Sequence, residues 1–381
     1  MTFWGKSLKR YAAVAGIIAT VVAFVAPPAQ AAVSDPMPSF NGTVLAVAYS
    51  GSTLYVGGDF TASVGYGRTV VRRHLAAVNA KTGELLPWAP AADGRVRALA
   101  VSGSSVYAAG EFGTVDGQQR DGLVRLDSVT GAVSPTFDHS IEGRPHALVA
   151  AGGKLYVGGT LSSVDGQART RLAAFNLRSG ALDPKWKPTA DDQVEALASA
   201  GGRIYAGGRF HKVNSTSGYD RLVALDPSSA TIVTGFQPRP SAIVFAIAVT
   251  SDSVYTANGG RGGMLNSYTT AGGKRWTATF DGDAQAVTAL NGRVYAGGHF
   301  DRACRTARTG DRGVCLDGSD DRIKLAALDP RDGHLLDWTA DANGVEGVLA
   351  LAGSSSVGAV AAGGAFTTID GRPQKRLAQI S

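Results

Sequence analysis

Short apolar runs, parted by glycine-rich breaks, recur along almost the whole chain. Between residues 143 and 192 they are Ala147-Leu148-Val149, Leu155-Tyr156-Val157, Leu172 to Phe175, and Leu182 to Trp186. Runs this short, bounded by Gly or Asp-Gly, predict strands, because an amphipathic helix needs a longer stripe at 3.6-residue spacing. We name the four strands a, b, c and d. Gly152-Gly153 turns a into b, and a longer loop with Asp165-Gly166 joins b to c. Asn176 to Gly180 makes a tight c–d hairpin, in which an Asx side chain bonds the turn backbone and a glycine takes positive φ. One such meander exposes two faces and two edges, so it has to stack on copies of itself.

The copies are present. Strand b recurs as LYVGGDF (54–60), VYAAGEF (106–112), LYVGGTL (155–161), IYAGGRF (204–210), VYTANGG (254–260), VYAGGHF (294–300) and VAAGGAF (360–366). Val44, Val96, Pro145, Val194, Val244 and Ala284 open strand a at one fixed distance before each Tyr; the insertion 352–357 breaks the spacing in the last copy. A period of about 50 residues is that of a four-stranded propeller blade. The seventh copy ends on strand c, Arg376 to Ile380, while Asp35-Pro-Met-Pro-Ser-Phe40 has the form of a d strand such as Asp183 to Trp186 or Ser134 to Phe137. The expected fold is all-β: a seven-bladed β-propeller of four-stranded antiparallel blades, closed by an N-terminal strand that completes the last blade. The blades fall near 44–93, 94–142, 143–192, 193–240, 241–283, 284–341, and 342–381 plus 35–41, in one domain over 32–381.

The repeated phrase of aromatic-x-Gly-Gly, Val-Asp-Gly, Leu-Ala-Ala, Thr-Gly and a late Trp resembles the bacterial secreted propeller repeats called delta-sixty repeats. Its c–d half, as in Leu75-Ala-Ala-Val-Asn79 through Thr82-Gly83 to Trp88, is similar to the quinoprotein-like blade. The resemblance spans nearly the whole chain beyond its leader and implies a fold more than a function, because propellers host unrelated activities.

The first 31 residues read as a secretory signal: Lys6, Lys9 and Arg10, an apolar run from Ala12 to Ala26, and Ala29-Gln-Ala31 as the cleavage site. The apolar run is short for a bilayer span, so no stable membrane span is expected after cleavage. The net charge of +6 is halved when this leader is removed. So small a surplus, scattered along the chain, gives no reason to expect nucleic acid. Cys304 and Cys315 are the only cysteines, and in a secreted protein they predict a disulfide inside the enlarged b–c loop of blade six. The short b–c loop of blade five beside this long one predicts a step, and a groove, on that face.

A polar residue stands three places before strand a in most copies: Asn41, Asp93, Glu142, Asp191, Ser241 and Asp281, with Asp341 one place off in the last. One place inside strand a the residues are Leu45, Arg97, His146, Glu195, Phe245, Gln285 and, in the last copy, Glu346. Both sets are expected to ring one mouth of the central channel. The candidate binding residues are therefore Asp93, Arg97, Glu142, His146, Asp191, Glu195, Asp281, Gln285, Asp341 and Glu346. A polar, net-acidic mouth suits a cation or a hydroxyl-rich ligand; the same Asp-Gly and Asn-Gly steps also serve simply as turns. Asp116-Gly-Gln-Gln-Arg120, Asp165-Gly-Gln-Ala-Arg169 and Asp370-Gly-Arg372 suggest ion pairs that pin the b–c loops, as do the basic residues before strand c.

Asp317-Gly-Ser-Asp-Asp321 and Asp341-Ala-Asn-Gly344 bring calcium to mind, but neither completes the D-x-[DN]-x-[DN]-G spacing. The histidines lack H-x-H and H-E-x-x-H spacing, so no metal centre and no cofactor are expected. No catalytic motif appears once and asymmetrically, as a nucleophile elbow or P-loop would. The sequence favours a secreted, monomeric, non-catalytic binding propeller, with a ligand site on the loop-rich face and an extracellular protein or glycan as partner. The rival readings are a secreted hydrolase or lyase on extracellular glycans and, further off, a quinoprotein-like dehydrogenase.

Overall fold

The structure, a computed structural model, describes residues 1–2, 29–30, 37–65 and 67–381. The leader and the residues Asp35 and Pro36 of the proposed closing strand thus lie outside the described residues, apart from Ala29 and Gln30, which pair in parallel with Trp338 and Thr339. Among the described residues the fold is all-β, apart from one 3-10 turn at Asp311–Gly313. Seven sheets follow one another along the chain, each led by an inner strand a: Val44–Ser50, Arg95–Ser102, Pro145–Ala151, Val194–Ala200, Val244–Val249, Ala284–Leu290 and Val348–Ser354. Each strand a packs against strand a of the next sheet, and that of sheet seven packs against that of sheet one. The fold is a β-propeller.

Among the described residues, only sheet five has four full strands, ending in Lys274–Thr279. In sheets one to four and six, strand d shrinks to a single antiparallel bridge to strand c, as at Phe175 with Leu182. The d segments of sheets one to four carry proline (Pro87 and Pro90, Pro135, Pro184 and Pro188, Pro238 and Pro240), which cannot donate to a ladder. Lys274–Thr279 has no proline and pairs along its length.

The repeated motif residues bind neighbouring sheets together. In six sheets the Tyr of strand b meets the Trp or Phe of strand d edge-on or tilted, as Tyr156 meets Trp186 at 4.8 Å between ring centroids. Trp186 also reaches the next sheet, where its indole N–H donates to Asp226 O. The first glycine of the b-strand pair lets the next sheet approach: a Cβ on Gly158 would lie 2.6 Å from Val194 Cγ1. At the seam, Ala361 replaces the Tyr, and Met37 shares its core cluster with Leu377. Met37 O accepts a hydrogen bond from Gln374, and Phe40 N–H donates to Lys375 O. Phe40 pairs with Ser63 as Ala190 pairs with Val213 and Ala92 with Val115, so it stands at the place of Ala190, four residues beyond the position of Trp186 expected for it.

Candidate functional site

Every strand a carries the same irregularity. Its pairing with strand b slips between the first and third residues, or in sheet two between the second and fourth, so the residue between them is the unpaired residue of a β-bulge. The seven bulged residues are Leu45, Arg97, His146, Glu195, Phe245, Gln285 and Leu349. A bulge re-aims its side chain, and all seven are half-buried at one level of the molecule. Arg97, Leu45, Phe245, Gln285 and Leu349 line an axial cavity of about 210 Å³, above an apolar layer that includes Leu99, Ile247 and Leu351. The seventh ring position is Leu349, and Glu346 is exposed outside it. Two extra residues ahead of Val348 shift the register between the polar turn and strand a in this copy.

The ring is lopsided. Arg97, His146 and Glu195 form a charged arc on sheets two to four, and Leu45, Phe245 and Leu349 are apolar. Arg97 Nε donates to Glu111 Oε1 at 2.6 Å, and Arg209 Nε donates to Glu195 Oε1 at 2.9 Å. His146 Nδ1 lies 2.6 Å from Gln193 Nε2 and 3.6 Å from Glu195 Oε2. His146 Nε2 is buried and has no partner among the described residues. Gln285 Oε1 is likewise buried without a partner. Burial works against charge on Glu195, but His146 and Arg209 outweigh it and hold the carboxyl below its ordinary value. Glu111 is held low in the same way, with Arg97, Arg144 and Arg95 overcoming burial.

The acidic residues before strand a do something else. Asp93 Oδ1 accepts from Gly113 N and Thr114 N, Asp191 Oδ1 from His211 N and Lys212 N, and Asp281 Oδ1 from Asp301 N and Arg302 N, all at 2.8 to 3.0 Å. Asn41 and Asn343 make the same clamp on their own b–c loops. Asn343, not Asp341, is thus the seventh member. Asp341 takes part in a second clamp, where its N–H donates to Asp370 Oδ1 as Ala91 N–H donates to Asp116 and Ser140 N–H to Asp165. Glu142 accepts from Ser162 Oγ at 3.3 Å. At Asp93 and Asp191 burial opposes the charge, and the loop amides more than offset it, holding both carboxyls low.

The expected Asp116–Arg120 and Asp165–Arg169 ion pairs do not form. The arginines are buried and latch the loop to strand d: Arg120 donates to Ser134 O and Arg169 to Asp183 O, while the aspartates hold the clamp just described. The basic residues before strand c sit at positive φ, and Arg171 and Lys324 bond carbonyls at the end of strand b.

The expected step between sheets five and six is bridged. Cys304 and Cys315 are disulfide-bonded, and the loop they tie leans across sheet five, so that a Cβ on Gly262 would meet Gly313 Cα at 2.7 Å. A cavity of about 380 Å³ remains between Ser241, Met264 and Thr309. The carboxylates of the run 317–321 that suggested calcium are engaged: Asp317 with Arg308 and Thr306, Asp320 with Arg305. Asp329, Asp332 and His334 in the c–d turn of sheet six bring ligand atoms within 4.8 Å of one another. There, Arg331 takes both oxygens of Asp329, and His334 takes Asp332.

Sequence reasoning did not find Glu111, Gln193 or Arg209. The signal was there: Glu111 and Arg209 each lie 14 residues from their ring partner, at the far end of strand b.

A family profile described as outer membrane protein assembly factor BamB (PQQ_2) matches residues 2–256. Two solved structures share the fold. The WD40 β-propeller domain of Doa1 is 11% identical with a TM-score of 0.60, over 91% of this chain and 95% of that one. The computationally designed Ika8 protein is 15% identical with a TM-score of 0.50, over 91% and 98%. No curated protein sequence matches the chain. Among the described residues, no helix is long and apolar enough to cross a membrane.

Proposed function

The chain belongs to the outer membrane protein assembly factor BamB family, and we propose that it is a secreted, non-catalytic binding propeller whose ligand site is the lopsided mouth of the channel. The seven sheets are its blades, the segment around Met37 and Phe40 completes the last, and the mature domain runs over 32–381 once the leader is removed. The disulfide supports an oxidising, extracellular setting.

The observation that carries this reading is the bulge-presented ring. Seven equivalent backbone positions display six kinds of side chain, and their charges gather on one side. A purely architectural ring has no need of that asymmetry. The unpartnered His146 Nε2 and Gln285 Oε1 offer polar atoms at the same level as the Arg97 guanidinium. Such a set suits an amide- or hydroxyl-rich group, borne by an extracellular protein or glycan.

The glycan hydrolase or lyase reading requires two carboxyl groups with separated pKa values, one kept protonated as the acid. Glu111 and Glu195 are both paired with arginine and both held low. The geometry therefore favours binding. A quinone cofactor does not fit the mouth either. The axial cavity of about 210 Å³ is below the roughly 300–1,000 Å³ of pockets that enclose such ligands, and no step is derived through one.

The test is an array of extracellular proteins and glycans probed with the secreted protein and with Arg97→Ala and Glu195→Gln. Specific binding lost in both variants, with each still folded at the assay temperature, is the expected result. Identical array profiles for all three proteins would remove the mouth as the site, and turnover of a bound glycan would restore the enzyme reading.

A further inference from the structure

A second surface lies away from the mouth, on the b–c hairpin of sheet one. In sheets two, three, four and seven this hairpin has strands of two residues, as at Thr114–Val115 and Gln118–Gln119. In sheet one it is extended to Ala62–Gly65 and Arg68–Val71. All four residues of Arg68–Val71 are exposed, Val70 at 39% and Val71 at 64%. Among the described residues the strand is the last of its small sheet and pairs on one side only.

Its backbone polarity follows from the register. Arg72 N–H donates to Thr61 O, and in an antiparallel pair bonded and non-bonded positions alternate. Val70 and Arg68 therefore bond inward to the partner strand, and Thr69 and Val71 turn their N–H groups to solvent. Among the described residues Thr69 C=O has no partner either, whereas Val71 C=O accepts from the Arg72 side chain. Beside the strand lies a cavity of about 740 Å³ lined by Met37, Val70, Leu85 and Pro373.

An exposed edge of this kind is a template for an added strand, and proteins usually shorten or cover such edges. Here it is lengthened. We propose that Arg68–Val71 is a docking edge that takes an extended, acid-flanked segment of another polypeptide as a further strand. The charge pattern selects this occupant. Arg68 and Arg73 flank the valines, both exposed and without a carboxylate partner among the described residues. A second copy of the chain pairing antiparallel about Val70 would set Arg68 against Arg72 and Arg73 of its partner. Like charges there oppose self-pairing, and carboxylates flanking a β-branched core match it.

The experiment measures fluorescence anisotropy of two labelled peptides, Glu-Val-Thr-Val-Thr-Glu and its counterpart with lysine at both ends, on the full chain. The acidic peptide is expected to bind at least tenfold more tightly. Thr69→Pro removes an N–H that no internal ladder uses, so it is expected to weaken the acidic peptide at least tenfold with melting temperature unchanged. The charge-reversed pair Arg68→Glu, Arg73→Glu keeps the backbone and is expected to reverse the peptide preference. Glu195→Gln, at the mouth, is expected to change neither affinity. Equal affinity for the two peptides, no binding by either, or no effect of the charge reversal would overturn the proposal. A dimer in analytical ultracentrifugation that Thr69→Pro dissolves would make a second copy the occupant and overturn it too.

Discussion

Val44 of the first sheet lies against Gly363 of the seventh: a Cβ on Gly363 would stand 2.5 Å from Val44 Cγ1. The same contact joins Gly57 to Val96, Gly158 to Val194, Gly207 to Val244 and Gly297 to Val348, each glycine taking the opening valine of the next sheet. The aromatic-Gly-Gly motif is thus a docking notch, and the notch of the seventh sheet is filled by residue 44. Gly363→Ala is expected to destabilise the protein by about 1–3 kcal/mol, as overpacking does. Val44→Ala in the same chain removes the clashing methyls and is expected to recover part of that loss. Urea midpoints of the two single variants and the double variant measure the coupling; strict additivity would exclude the contact.

The N-terminal segment gives a second prediction. Met37 and Phe40 are buried with Ala361 and Leu377, across the ends of the chain. Deleting 33–40 is expected to open that cluster and cause association and rapid proteolysis, read by size-exclusion chromatography and limited trypsin digestion. A monomeric, protease-resistant truncation would show that the last blade does not depend on this segment.

Much of this was legible in the sequence because propeller stacking writes itself into short-range chemistry. A Gly-Gly pair is needed wherever the next sheet's valine docks, and an Asx-turn residue wherever a hairpin closes, so period and strand order could be counted. The bulge was not legible. Alternation of apolar and polar residues locates strand a, but which residue lacks a partner depends on strand b, whose two glycines present no side chain to count against. Glu346 was misplaced for a different reason, because extra residues precede strand a in the last copy and put Leu349 at the bulge. The role of Arg120 and Arg169 was missed because proximity to aspartate suggested an ion pair, whereas burial made the strand-d carbonyls the stronger claim.

The disulfide loop gives a third prediction. Cys304–Cys315 ties a short loop whose Gly313 rests on Gly262 at positive φ on both sides. Opening the bond in the Cys304→Ser, Cys315→Ser variant is expected to cost up to about 3 kcal/mol in the chain-entropy account, with the sheets otherwise intact. Gly262→Ala is expected to lower the melting temperature while the bond stays closed. A denaturing thiol titration checks the bond, and calorimetry checks both effects; free thiols in the oxidised wild type would contradict the pairing.

Acid sensitivity follows from Glu195. Its folded-state pKa is depressed below the ordinary 4.5 by His146 and Arg209, despite burial. A depressed carboxyl contributes stability that is present above its unfolded value and lost as pH falls through its folded value. Stability is therefore expected to decline below about pH 4.5, and Glu195→Gln to flatten that decline. The variant also leaves Arg209 without its partner, so its stability near neutral pH is expected to be lower. Urea midpoints across that range decide it, and parallel acid limbs for wild type and variant would exclude Glu195 as a contributor.

The last prediction separates architecture from ion binding at the turns before strand a. Asp93, Asp191 and Asp281 each give one oxygen to two loop amides, in the geometry that Asn41 and Asn343 adopt with no charge. Asn keeps this turn chemistry and removes the carboxylate. The triple variant Asp93→Asn, Asp191→Asn, Asp281→Asn is therefore expected to fold with a melting temperature close to wild type, whereas the corresponding alanines lose a capped turn at each site. If the carboxylates jointly held calcium, ligand linkage would raise wild-type stability by RT ln(1 + [L]/Kd) and leave the Asn variant unmoved. Millimolar calcium is expected to shift both proteins equally, because each carboxylate is already engaged as a turn acceptor on its own b–c loop. A thermal shift confined to the wild type would overturn that expectation and make the ring of turns a cation site.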